Sequence, residues 1–307
     1  MLAIVPLIAV ALAGPVHAQD GWTLVLSDEF DGDKIDGSKW GFEVDCWGGG
    51  NEERQCYTRS SRNAAIEDGK LVIMARHERV TGSALPAHLR RGAINPDAEA
   101  TREFSSARLT TKGKAAWRYG KFEIRARLPQ GQGTWPGIWM LPERDRYGAW
   151  AASGEIDILE AVNLGVPCAK CPGGRENTIL GTLHFGGVSP RNKHTGEEVP
   201  FPAVLDNEFH TYAVEWTPDR ISWQVDGQTY AERPASAWST TGSDRPGAPF
   251  DQPFHLIINL AIGGKLAETR GLGGVRLDGY PKRMEIDWVH VWQRPEVNSP
   301  KLGAGGQ

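Results

Sequence analysis

The chain has 307 residues, 40% of them hydrophobic, which is enough to bury a sizeable core within one domain. A formal net charge of −4 offers no electrostatic attraction to nucleic acid or to an anionic membrane, and basic residues such as Arg90 and Arg91 are scattered rather than clustered. The 12 tryptophans are the unusual feature; indole rings fill cores and also stack on the apolar faces of sugars, and composition does not separate the two uses.

The N-terminal stretch MLAIVPLIAVALAGPVHA has an apolar run of about a dozen residues, too short to span a bilayer. A Gly14-Pro15 break and the small residues before Ala18 predict an export signal over 1–18, although no Lys or Arg precedes the apolar run. A retained anchor or a buried N-terminal strand is the competing reading. With no other segment long enough to cross a membrane, the expectation is a mature protein, secreted or periplasmic, that is free of the membrane.

Export governs how the four cysteines are read. Cys46 and Cys56 lie ten apart, and Cys168 and Cys171 form CAKC. Disulfides Cys46–Cys56 and Cys168–Cys171 are the simplest of three possible connectivities. A zinc site is the alternative, but the first pair lacks CxxC spacing and no compact Cys/His cluster accompanies it.

Strand patterns dominate the rest of the chain. GKLVIMARHE is a strand candidate, and the sequence between 80 and 101 then loses its pattern and reads as a surface loop. KFEIRARLP alternates Phe122, Ile124, Ala126 and Leu128 with charged residues, the period of a half-buried strand. Residues 187–207 read as another loop. HTYAVEWTPDRISWQVDGQTY gives three strands joined by a Pro-Asp turn and an Asp226-Gly227 turn, and FHLIINLAI and RMEIDWVHVWQ add two more. Many strands, no αβ alternation and no internal repeat predict an all-β sandwich spanning one domain, 19–295, with a tail over 296–307.

The segment SGEIDILEAVN raises a geometric problem. Glu155 and Asp157 share a strand face, whereas Glu160, five beyond Glu155, falls on the opposite one. A β-bulge near Ile158-Leu159 restores the phase and lines all three acids on one face. With the extra residue discounted, the outer acids are equivalent to i and i+4, with Cα atoms roughly 13 Å apart, and side-chain reach with sheet curvature brings the carboxylates toward the separation of about 5–5.5 Å that suits retaining glycoside hydrolysis. In that chemistry Glu155 attacks the anomeric carbon and Glu160 protonates the leaving oxygen, while Asp157 between them hydrogen-bonds Glu155 and helps keep one carboxyl neutral. An exposed acidic strand edge, or a cation site, is the bland alternative.

GEIDILE resembles the E-x-D-x-x-E signature of glycoside hydrolase family 16, a β-jelly-roll family. GGGNEERQCYT, SARLTTKGKAAWRYGKFEIRARLPQGQGTWPGIWML, GTLHFGG, FHTYAVEWTPDRISWQVDG and FDQPFHLIINLAIGG are similar to its laminarinase branch, in the family's order, from about Trp22 to Gln293. The resemblance implies a concanavalin-like jelly roll with a concave cleft and a retaining endo-hydrolase of β-1,3-glucans such as laminarin, with Glu155 as nucleophile and Glu160 as acid/base. It implies no cofactor for the chemistry, and a monomeric protein whose partner is the polysaccharide. Licheninases resemble the shorter E-x-D-x-E; mixed-linkage hydrolysis, transglycosylation and, in another functional class, non-catalytic β-glucan recognition are the alternatives. Glucan-recognition relatives lack the catalytic glutamates, which are present here.

Other residues carry over one by one. Trp135 and Trp139 correspond to tryptophans flanking donor-side sugars, and His184 to a histidine near the carboxylates that bonds Asp157 or a sugar hydroxyl. Asn51 and Arg108 resemble polar contacts to more distant donor-side sugars. GGNEERQCYT departs from the family pattern, with Cys56 replacing an aromatic residue, and GVPCAKCPGG is an insert expected to form a stapled loop beside the cleft. Many members carry a structural Ca²⁺ away from the catalytic centre; Glu29, the Gly69 carbonyl and Asp287 occupy matching positions, and oxygen-only ligands suit that ion.

Overall fold

A computed structural model describes residues 21–295. The expected export signal over 1–18 and the tail over 296–307 lie outside the described residues. In chain order the elements are β1 (Thr23–Asp28), β2 (Gly41–Glu43), β3 (Gln55–Tyr57), β4 (Ala64–Glu67), β5 (Lys70–Ser83), α1 (Ala87–Arg90), β6 (Glu99–Ser106), β7 (Arg108–Thr110) and β8 (Gly120–Arg127). There follow β9 (Thr134–Pro142), β10 (Glu155–Glu160), β11 (Thr178–Gly186), β12 (Asn192–Pro200), β13 (His210–Trp216), β14 (Arg220–Val225), β15 (Gln228–Pro234), β16 (Phe254–Ile262), α2 (Gly264–Glu268) and β17 (Lys282–Gln293).

These strands form two sheets packed face to face, a jelly-roll β-sandwich. A 10-stranded sheet runs β15-β14-β13-β8-β17-β5-β6-β3, with β1 on β17 and β4 on β5; a 7-stranded sheet runs β12-β11-β10-β9-β16-β7-β2. Neighbours are antiparallel except β3 and β6, which run parallel. No helix among the described residues is long and apolar enough to cross a membrane.

Strand periodicity explains the layers. β8 buries Phe122, Ile124 and Ala126 and leaves Lys121, Glu123 and Arg125 half-buried on its outer face. β16 is buried along its whole length, because it lies in the middle of the 7-stranded sheet with covered surfaces on both sides. Phe254, Leu256, Ile258, Leu260 and Ile262 join the inter-sheet core, while Asn259 and Ala261 alternate toward the cleft. Between the sheets, Trp216 of β13 packs edge-on against Phe254 of β16, with ring centroids 5.3 Å apart.

The expected bulge in β10 is present. Pairing with β9 slips between Asp157 and Leu159, and pairing with β11 slips between Asp157 and Glu160. Ile156, Ile158 and Leu159 are all buried in the core, so the extra residue lets two consecutive apolar side chains point inward before Glu160 returns to the cleft face. Such a bulge leaves a backbone group without its ladder partner. Here the buried Trp223 of β14 reaches across from the other sheet and donates its indole N–H to the Asp157 carbonyl at 2.7 Å.

Two segments differ from expectation. The stretch 80–101 is not a plain loop: β5 and β6 stay paired out to Ser83 and Glu99, and α1 sits in the connection. Within 187–207, β12 pairs with β11 from Asn192 to Pro200. Both are edge or protruding strands without a buried face, so neither selects the alternation that reveals a strand in sequence.

Candidate active site

A cleft of about 420 Å³ crosses the outer face of the 7-stranded sheet. Glu155, Asp157 and Glu160 form part of its floor, flanked by Trp135 and Trp139 from β9, Asn259 and Ala261 from β16, and Arg108 from β7. One end is walled by Trp47, Asn51 and Glu53 from the segment before β3 and by His88 of α1.

Each glutamate accepts one indole hydrogen bond. Trp135 Nε1 donates to Glu160 Oε1 at 2.9 Å, and Trp150 Nε1 donates to Glu155 Oε2 at 2.9 Å. His184, paired with Glu155 in the register of β10 and β11, stands at the edge of the cleft. Its Nε2 lies 3.3 Å from Asp157 Oδ2 and 3.7 Å from Glu155 Oε1. These are ion-pair contacts rather than aligned hydrogen bonds, since buried Asp157 Oδ2 has no hydrogen-bond partner. The expected Asp157–Glu155 hydrogen bond is not formed; the group facing Asp157 Oδ2 is His184.

Three acids in one low-dielectric trough cannot all ionise at ordinary pH. Burial, and then the neighbouring Asp157, push Glu155 up to about 7, against the opposing pull of His184 and the Trp150 N–H. Burial and Asp157 also push Glu160 up to about 8. Burial works against a charged His184, but Asp157, Glu155 and Glu160 outweigh it and hold the imidazole protonated, pushed up to about 10. Of the two glutamates, Glu155 has the closer cation and is therefore the easier to ionise.

The residues expected to contact donor-side sugars belong to a hydrogen-bonded frame. Trp139 Nε1 donates to Asn259 Oδ1 at 2.7 Å, Asn259 Nδ2 donates to the Tyr57 hydroxyl at 3.0 Å, and that hydroxyl donates to Glu53 Oε2 at 3.3 Å. Arg108 lies over the Trp139 ring, 4.6 Å from its centroid, and pairs with Glu43 at 3.0 Å. Arg108 is thus in the cleft wall but almost wholly buried, bracing Trp139 more than reaching into open space. Asn51 is exposed on the rim and donates to Glu53 Oε1 at 3.4 Å.

Trp150, Glu53, Tyr57, Asn259 and His88 are cleft residues that the sequence reading did not single out. Trp150 had a local signal, an aromatic five residues before Glu155 in a chain rich in tryptophan. The others come from distant segments that only the fold unites.

Cys46 is bonded to Cys56 and Cys168 to Cys171. The first bridge ties down the rim segment that carries Trp47, Asn51 and Glu53, so the cysteine standing where an aromatic residue was expected closes that segment covalently. Gly48 has φ +77°, and a Cβ there would sit 2.7 Å from the Glu53 carbonyl oxygen, so the turn requires glycine. The CAKC loop is stapled but does not line the cleft; its base packs by Gln130–Gln132 and Leu272 around a separate hollow.

Two sets of side chains bear on cations. Glu155, Asp157 and His184 each offer one ligand atom within 4.8 Å of the others, and Cys168, Cys171 and Glu176 do likewise, although both of those thiols are consumed in a disulfide. β17 pairs Val289 with Asp28 at the end of β1 and Ile286 with Leu71 near the start of β5, and Glu29, Gly69 and Asp287 lie within two residues of those paired residues in the chain. Their donors are oxygen only, as Ca²⁺ prefers. Glu29 Oε1 is engaged by Ser27 and His290, both at 2.6 Å, and Asp287 pairs with Arg125, so a cation would share these carboxylates with protein partners.

The model of the family described as Glycosyl hydrolases family 16 matches residues 52–290. A β-glucanase from Rhodothermus marinus is 41% identical over 278 residues, 89% of this chain and 85% of that protein. A glucan endo-1,3-β-glucosidase from Cryptopygus antarcticus is 40% identical over 287 residues, 92% of this chain and 96% of that one. Against the longer glucan endo-1,3-β-glucosidase A1 of Niallia circulans, 38% identical, the match spans 38% of that protein's length. The X-ray structure of the laminarinase from Rhodothermus marinus superposes with a TM-score of 0.70 at 39% identity, covering 89% of this chain and 97% of that one. With its jelly roll, its bulged acidic strand and a family match over most of its length, the chain belongs to glycoside hydrolase family 16.

Proposed function

We propose that the protein hydrolyses internal β-1,3 bonds of a β-glucan such as laminarin, with retention of anomeric configuration. The observation that carries this reading is the bulged β10, which sets Glu155 and Glu160 on one cleft face, each held by its own indole donor. The substrate class is supported by two relatives, one named a glucan endo-1,3-β-glucosidase and matching 92% of this chain, the other a laminarinase and covering 89% of it. Glu155, ionised beside His184 and the Trp150 N–H, attacks the anomeric carbon and forms a glycosyl–enzyme ester. Glu160 delivers its proton to the glycosidic oxygen as that bond breaks, and the reducing-side fragment leaves. Glu160 then takes a proton from water as the water attacks the same carbon, releasing Glu155 and a sugar of the original configuration. Trp139, braced by Asn259 and Arg108, offers a fixed aromatic surface for donor-side glucose.

Variants separate the two glutamates. Glu155→Ala abolishes laminarin cleavage, and azide rescues it with an inverted glycosyl azide. Glu160→Ala lowers cleavage by about 10²–10⁴-fold, retains turnover of an aryl glycoside with a good leaving group, and yields a retained azide product. Reversed stereochemistries would exchange the roles, and near-normal activity in both variants would show that Glu155 and Glu160 are not the catalytic pair.

The ionisation states predict a bell-shaped kcat/KM profile. Activity rises as Glu155 ionises near about 7 and falls as Glu160 loses its proton near about 8. A hydrogen-bond donor favours the charged carboxylate, so Trp150→Phe shifts the acidic limb to higher pH and leaves the alkaline limb in place. Trp135→Phe shifts the alkaline limb upward. Shifts on the wrong limbs, or none, contradict these pairings.

Calcium is proposed as a structural ion held by Glu29, the Gly69 carbonyl and Asp287, remote from the chemistry. Added Ca²⁺ then raises Tm and chelation lowers it, while Glu29→Gln removes the response; a Tm indifferent to Ca²⁺ rejects the site.

A further inference from the structure

The catalytic floor holds a set of donors that general acid–base chemistry does not fully use. Asp157 is 3% exposed, yet its Oδ2 has no hydrogen-bond partner. Glu155 gives Oε2 to the Trp150 indole, which leaves Oε1 turned toward His184. From His184 Nε2, Asp157 Oδ2 is 3.3 Å away and Glu155 Oε1 is 3.7 Å away.

One ligand atom from each of Glu155, Asp157 and His184 lies within 4.8 Å of the others, near enough for all three to converge on one cation. Ligand atoms bound about 2.0–2.2 Å from a tetrahedral zinc ion lie about 3.3–3.6 Å from one another. Two carboxylates with one imidazole are a donor set suited to zinc and its first-row neighbours, whereas magnesium and calcium favour oxygen alone and more ligands. Asp157 Oδ2 is buried and makes no aligned hydrogen bond; its one close cationic contact is the His184 imidazole at 3.3 Å, so a metal dication would take over a charge contact that the site already provides.

We infer that Glu155, Asp157 and His184 form a binding site for a borderline divalent transition-metal ion, Zn²⁺ above all, with the fourth coordination position open to the cleft. On binding, His184 gives its Nε2 proton to solvent and the nitrogen lone pair goes to the metal. The dication then satisfies Asp157 Oδ2 and replaces the imidazolium as the positive charge among the acids. Glu155 becomes a ligand and its oxygen is withheld from the anomeric carbon, so the metal is a reversible inhibitor that competes with glucan. The inhibition rests on the function proposed above; the binding does not.

The test uses the full chain, stripped of metal and titrated with zinc chloride by calorimetry at pH 8, with cobalt(II) absorption as a geometric readout. One Zn²⁺ should bind per chain, and Co²⁺ should give the intense visible bands of a tetrahedral site. His184→Gln and Asp157→Asn should each weaken binding by more than about tenfold, while His194→Ala, whose ring lies 5.8 Å from that of His184, should leave it unchanged. Laminari-oligosaccharide should raise the apparent Kd for zinc. Absence of saturable binding at millimolar zinc, or binding that neither variant in the set weakens, overturns the site, and Asp157→Asn decides if His184→Gln does not fold. Zinc bound through His184 by a protein that does not cut laminarin would uphold the site and reject the proposed function. Laminarin cleavage with zinc binding untouched by both variants would do the opposite.

Discussion

β10 has to give apolar side chains to the core and three acids to the cleft within six residues, and strict alternation cannot satisfy both. Under a period of two, Leu159 would lie on the cleft floor and Glu160 would be driven between the sheets, where an unpaired carboxylate is costly. One extra residue resolves the conflict: Ile158 and Leu159 both turn inward, and Glu160 rejoins Glu155 and Asp157. The disrupted ladder has its own cost, of order 1–3 kcal/mol for a buried carbonyl left unpaired. The Trp223 indole offsets it by bonding the Asp157 carbonyl from the opposite sheet. The geometry of the three acids is therefore fixed through the core of the sandwich rather than by a surface loop.

The bulge also sets the electrostatics. It confines three carboxylates to a trough where, among the described residues, only His184 stands within ion-pair distance. Burial raises both glutamates, and the position of His184 near Glu155 makes their ionisation unequal. Unequal protonation of two carboxyls is what an acid and a nucleophile require of each other. The two indole donors come from different elements, β9 and the loop before β10, so each glutamate is oriented independently of the other.

How much of this the sequence disclosed depends on whether an interaction is local. The five-residue spacing of Glu155 and Glu160, with apolar residues between, announced the bulge, and the alternation in β8 announced a half-buried strand. β12 gave no such signal, because its residues Asn192–Pro200 are largely polar and lie at a sheet edge with no core side. The same lack of a buried face hid the paired ends of β5 and β6. Arg108 was legible as a cleft residue, but its near-complete burial against Trp139 and Glu43 depends on strands far apart in sequence. The chain from Trp139 through Asn259 and Tyr57 to Glu53 joins β9, β16 and the rim segment, and no periodicity within any one of them predicts it. The Trp223–Asp157 bond, on which the bulge relies, links residues 66 positions apart.

If the bulge sets Glu155 and Glu160 at the separation of a nucleophile and its acid/base partner, the stereochemistry of hydrolysis must reveal it. Carboxylates about 5–5.5 Å apart act by double displacement with retention, and those about 6.5–9.5 Å apart admit a water and invert. The direct measurement is proton NMR of the anomeric signals during the first minutes of laminari-oligosaccharide hydrolysis, before mutarotation mixes them. The account predicts that the β-anomer appears first and the α-anomer grows in later. An α-anomer formed first would contradict it.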